Sequence, residues 1–95
     1  MDNTGYKESD GKLIYDIDWN FIKDIAIRMS EYKSKYPKGN WKKPMELESI
    51  EEAMERHFIE YKRGNTDENH LIAIVCNAMI INYHKNGCNT NLWKL

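Results

Sequence analysis

Three polar side chains punctuate the greasiest part of the chain at intervals of seven: His70, Asn77 and His84, around Leu71 to Ile81 (LIAIVCNAMII), where Asn77 is the only polar residue. Seven residues are nearly two helical turns, so the three share one line along a helix. His57 precedes them, and a short antiparallel turn over Arg63 to Thr66 would bring it to the depth of His70. Two imidazoles with Asp67 are suited to a divalent metal, or to hydrogen bonds with a phosphate or base. The competing reading is structural: satisfied core histidines, with Asn77 fixing register between subunits. No HExxH-like or CxxC-like spacing accompanies the set.

Two further groups carry chemical potential. Lys33, Lys35, Tyr36, Lys38, Gly39, Asn40, Trp41, Lys42 and Lys43 form a basic, aromatic, turn-forming segment. Lysines neutralise phosphate, glycine admits close backbone approach, and an aromatic face stacks on a base. Its plainer reading is a solvated connector anchored by Trp41. The second group is the acidic run Glu48, Glu51, Glu52 and Glu55, whose spacing of three and four places carboxylates on a shared helix face, able to hold magnesium against a triphosphate. Glu52-x-x-Glu55 is similar to half of the carboxylate signature of MazG-type nucleotide pyrophosphohydrolases, but only Asp67 and Glu68 stand where the matching pair should follow. A solvated charged face is the plainer reading here too.

Three helices must position these groups. Asp18 is a suitable N-cap for a first helix of about Trp19 to Lys35, with Ile22, Ile25, Ala26, Met29 and Tyr32 at helical spacing, ended by Pro37 and Gly39. Pro44 opens a second over Met45 to Lys62, with Leu47, Ile50, Met54, Phe58 and Tyr61 on one stripe, His57 and Glu51 at its edges, and Gly64 closing it. Thr66 caps a third over Asp67 to Lys85, stopped by Gly87. Its apolar residues surround the helix, so it should be central, yet two neighbours hide only about half of such a surface. The expected fold is therefore an all-α three-helix domain over residues 1–95, with a flexible lead at 1–12, a tail at 86–95 and a homo-oligomeric assembly, most simply a two-fold dimer.

Composition narrows the partners. The net charge of −1 argues against a general nucleic-acid coat, although Tyr32 to Lys43 holds five lysines and no acid, while Glu46 to Glu60 holds six glutamates. The apolar stretch is far shorter than the roughly 20 residues a bilayer needs, so no membrane partner is expected. The start is polar, and Cys76 and Cys88 lack metal-like spacing, which points to reduced thiols and a cytoplasmic location.

Taken in order, Lys35-Tyr36-Pro37-Lys38-Gly39-Asn40-Trp41, Arg56-His57, Gly64 with Asp67, and His70-Leu71 followed by Asn77-Ala78 resemble a family pattern: K-Y-G-x-x-N-W, R-H, a glycine turn with acidic residues, then H-L-x-H-x-x-x-N-A. The family is that of phage-type dATP/dGTP diphosphohydrolase N-terminal domains. The resemblance implies that Asn40, Trp41, Arg56, His57, Asp67, His70 and Asn77 share one nucleotide-handling site. Ala73 replaces the second histidine of the last motif, which moves the expectation from catalysis towards binding. The favoured reading is sequestration of a nucleotide or cyclic-nucleotide immune signal, in the host cytoplasm if phage-encoded. Lys35, Tyr36, Lys38, Asn40, Trp41, Arg56, His57, His70 and Asn77 would contact the ligand; the sequence assigns no cofactor, and magnesium is the possible one. The alternative is a magnesium-dependent purine dNTP hydrolase, with Glu51, Glu55 or Asp67 on the metal and His57 or His70 moving protons. A structural interaction protein without a small ligand is the third reading.

Overall fold

The computed structural model describes residues 16–32 and 35–87. The expected lead at 1–12, Cys88 and nearly all of the expected tail lie outside these residues. Three helices, α1 (Trp19–Glu31), α2 (Leu47–Lys62) and α3 (His70–Asn82), carry the chain, and the described residues contain no strand. Asp18 caps α1 as its side chain allows, accepting the Asn20 N–H at 3.0 Å. Beyond Glu31 the Tyr32 carbonyl accepts from the N–H groups of both Lys35 and Tyr36, a turn that halts the helix ahead of Pro37.

The other two helices begin later than their sequences suggest. Pro44 precedes an extended Glu46 (φ −81°, ψ 101°), so α2 starts at Leu47. Asn65 accepts the Asp67 N–H at 3.1 Å and folds residues 65–68 into a turn. Asn69 rather than Thr66 then caps α3, accepting the Ile72 N–H at 3.1 Å. At its far end α3 widens into a π-turn, Tyr83–Gly87.

The connection from α2 to α3 is a Schellman closure: Asn65 N–H reaches the Glu60 carbonyl and Gly64 N–H the Tyr61 carbonyl, both at 3.0 Å, with Gly64 at φ 79°. A Cβ at Gly64 would meet nothing within 4 Å, so only the backbone conformation resists a side chain. Gly64→Ala is therefore expected to cost about 1 kcal/mol, visible as a fall in melting temperature of roughly 4–8 °C in a domain this small.

α3 is the shared partner: α1 and α2 each pack on it and far less on one another. Ile72, Ala73, Cys76 and Ile80 are its buried apolar residues, while neither α1 nor α2 buries any residue fully. The inward side of α2 differs from the expected stripe. Leu47, Ile50, Met54 and His57 face inward, whereas Phe58 and Tyr61 are exposed. Met54 to His57 is a three-residue step and Met54 to Phe58 a four-residue one, and either keeps to one side of a helix. Contact with α3 selects the former, and so turns His57 from the edge of the stripe to its inner side.

Candidate functional site

Residues of α1, α2 and α3, with others from residues 36–45, line one groove. This groove is a pocket of about 640 Å³. Its α1 wall is Ala26, Met29 and Ser30, Ile50 comes from α2, and Asn77 and Ile80 come from α3. Tyr36, Lys38, Asn40, Trp41 and Lys42 supply the rim. None of the described residues that line it is acidic.

The loop is held in place by identifiable contacts. Gly39 adopts φ 76°, and a short 3-10 turn follows over Asn40–Lys42, closed by Lys42 N–H to the Gly39 carbonyl at 3.0 Å. His84 Nε2 donates to the Trp41 carbonyl at 2.7 Å. The Trp41 ring meets Tyr83 edge-on at 5.1 Å between centroids, and the Lys42 ammonium stands 5.4 Å from the Trp41 ring. Trp41 thus anchors the loop and also lines the pocket, so the two readings of this residue are compatible. His84, third on the polar line and within the π-turn that follows α3, is the clamp that fixes the rim.

A second constellation lies at the other end of α3, where α2 turns into it. His57 Nδ1 and His70 Nδ1 are 2.9 Å apart, and His70 Nε2 is 2.8 Å from Asp67 Oδ1. An ionised carboxylate only accepts, so His70 carries its proton on Nε2. With His70 neutral, its Nδ1 lone pair receives the Nδ1–H of His57. Glu68 completes the group, paired with Arg28 of α1 at 2.9 Å. One ligand atom from each of His57, Glu68 and His70 lies within 4.8 Å of the others, a spacing that fits a metal ion.

Charges in this cluster are tuned by burial and by one another. Burial works against the charge of Arg28, but its hydrogen bonds with Glu68, which accepts, and with Tyr32 outweigh it and hold its pKa above the ordinary value. Desolvation lowers the pKa of His57, and the positive field of Arg28 and Arg56 assists while Glu68 opposes. His57 is consequently a neutral imidazole at neutral pH.

The residues expected to form one site are therefore parted. Tyr36, Lys38, Asn40, Trp41 and Asn77 line the groove, whereas His57, Asp67 and His70 belong to the cluster. Lys35 is exposed and outside the lining, and Arg56 is exposed beside Glu52 at 3.5 Å. Glu51 pairs with Lys85 at 3.7 Å, and Glu55 is exposed. Neither joins the His57, Glu68, His70 group. Two members of the cluster are not singled out by the sequence: Glu68 stands there only beside Asp67, where the second carboxylate pair should follow, and Arg28 belongs to no motif. The position of Glu68 two residues before His70, at a helix entry, was the available signal.

Cys76 sits between the two regions, wholly buried, with its thiol 3.9 Å from the Ile25 carbonyl. Desolvation raises its pKa above the ordinary 9.0. In that window the unfolded chain has lost the proton that the folded chain keeps, so stability falls as pH rises past 9.0. In a Cys88→Ser variant, alkylation of the remaining thiol should be slow in the folded protein and become rapid on adding denaturant.

The described residues form an all-helical domain with an aromatic, lysine-bearing groove and a histidine-carboxylate cluster, and no described helix is long and apolar enough to cross a membrane. The family model for dATP/dGTP diphosphohydrolase, N-terminal, matches residues 2–91, and the chain belongs to that family. No curated protein and no solved structure matches it.

Proposed function

We propose that the groove binds a purine nucleotide, or a signal derived from one, and that the protein acts by retaining it. One observation carries this reading: the pocket of about 640 Å³ gathers three aromatic rings, Tyr32, Tyr36 and Trp41, two amides, Asn40 and Asn77, and two lysines, Lys38 and Lys42. Its size falls within the range of about 300–1,000 Å³ typical of small-ligand sites. The rings stack on a base, the amides read its edge, and the ammonium groups neutralise phosphate. The family's name supports purine deoxynucleotides as the ligand class. Retention is favoured over turnover because, among the described residues, the lining offers no carboxylate to hold a phosphate-bound ion.

Hydrolysis is the second reading. The observation in its favour is that His70 and Asn77 share one line of α3, seven residues and so roughly 10 Å apart. A ligand in the groove could extend its phosphates towards the cluster. Self-association belongs to the same proposal: Phe58, Ile59, Tyr61 and Leu71 are all exposed on the single chain, and a second copy would cover them.

A thermal-shift screen against dATP, dGTP, cyclic dinucleotides and ADP-ribose derivatives, with and without magnesium, tests both readings when the ligand is recovered and chromatographed. At 100 times the dissociation constant a ligand adds about 2.7 kcal/mol. A stabilising nucleotide recovered intact supports retention, and one recovered cleaved only with metal present supports hydrolysis. No shift with any of them overturns the proposal.

A further inference from the structure

We infer that His57, His70 and Glu68 form a binding site for a divalent first-row transition ion such as Zn²⁺ or Co²⁺, with Asp67 and Arg28 orienting the ligands. The inference is independent of what occupies the groove.

Three features converge on it. The first is the pair of ring nitrogens. The Nδ1 atoms of His57 and His70 are 2.9 Å apart. Two nitrogens bound at about 2.0–2.1 Å to one ion, at angles between octahedral and tetrahedral, stand roughly 3.0–3.3 Å from each other. The rings need to part by only a few tenths of an ångström. The proton now shared between them moves to Nε2 of His57, so both Nδ1 lone pairs become available with no net loss of a proton.

The second is the support around each ligand. The Nε2–H of His70 is held by Asp67 at 2.8 Å. A carboxylate on the far nitrogen of a metal-bound imidazole fixes the tautomer and ring plane and raises the basicity of the ligating nitrogen. Arg28 does the equivalent for Glu68, engaging Oε1 at 2.9 Å and leaving the second oxygen for an ion. His70 is itself 5% exposed, so its ring is fixed in place by the packing of α3.

The third is charge. Asp67 and Glu68 contribute two negative charges, Arg28 one positive, and the imidazoles none when neutral. The resulting −1 suits a divalent cation and disfavours a phosphate lodged directly among the carboxylates. Imidazole ligands further select zinc, cobalt, nickel or copper over magnesium, which prefers oxygen donors. Two histidines and one carboxylate leave coordination positions open. The Nε of Arg28, buried without a hydrogen-bond partner, is a donor at the same cluster for an oxygen carried on the ion.

The test is titration of the full-length, tag-free, chelator-treated protein with Co²⁺, followed by absorption spectroscopy. One ion per chain with a ligand-field spectrum lacking a thiolate charge-transfer band is expected, and a large excess of Mg²⁺ should not displace it. His57→Gln and Glu68→Gln, both checked for helicity by circular dichroism, should abolish the spectrum. Asp67→Asn should weaken binding about 10- to 100-fold while keeping one ion per chain. Absence of cobalt binding at millimolar ion, a thiolate band, or unchanged binding in a folded His57→Gln or Glu68→Gln variant would each overturn the assignment.

Discussion

Replacing Trp41 with alanine should weaken nucleotide binding by roughly 5- to 150-fold, the equivalent of the 1–3 kcal/mol that stacking one base on an aromatic ring contributes. The loss has two parts. The ring is a wall of the groove, and it is also the surface on which Lys42 rests and against which Tyr83 packs. Trp41→Phe separates them, since a smaller ring still stacks but fills less of the rim, so its affinity should fall between wild type and alanine. The His84 bond goes to the main-chain carbonyl of residue 41 and survives both changes. Isothermal titration with the nucleotide found in the screen measures the series. Affinity within about twofold of wild type in Trp41→Ala would show that the base lies elsewhere.

Ile72→Ala should be the most damaging single truncation for stability. Ile72 is 3% exposed and, among the described residues, one of four buried apolar ones, all of them on α3. Deleting a buried isoleucine side chain down to Cβ costs about 2–5 kcal/mol. In a domain of this size the melting temperature should fall by roughly 10–30 °C. Phe58→Ala provides the contrast, since Phe58 is 54% exposed. Truncating it should leave the stability of an isolated chain within about 0.5 kcal/mol while weakening self-association, read by sedimentation across a concentration series. If Phe58→Ala changes neither property, the proposed contact between copies does not use this face.

The helices were legible because their signals are local. Asp18 before α1, Gly64 after α2 and the unbroken apolar run of α3 each act within a turn of the chain. The start of α3 was misjudged because Thr66 and Asn69 are both competent caps, and the choice fell to the turn that Asn65 makes with Asp67. The inward face of α2 was misjudged for a tertiary reason: spacings of three and four are equally helical, and only contact with α3 places His57 inside and Phe58 outside. The same rotation explains the cluster. His57 and His70 were recognisable as neighbours across a short connection, but Glu68 enters through its pairing with Arg28, forty residues earlier, and no local pattern encodes that contact. The resemblance to the family gathered the groove and cluster residues into one site; helix geometry places Asn77 about two turns from His70, midway along the line that ends at His84.

The position of α1 also bears on how a ligand enters and leaves. α2 and α3 are joined by a tight closure and pack extensively, whereas α1 packs mainly on α3, is tied to the turn before it by the Arg28–Glu68 pair, and buries no residue completely. Such an element can detach as a sub-global unit while the rest stays folded. Ala26, Met29 and Ser30 would travel with it, so the groove loses a wall whenever α1 lifts. Amide hydrogens of α1 should then exchange faster than those of α3, and an occupant of the groove should slow them by making each opening cost its own binding energy. Residence time would be governed by the fraying of one helix rather than by the breadth of a fixed mouth.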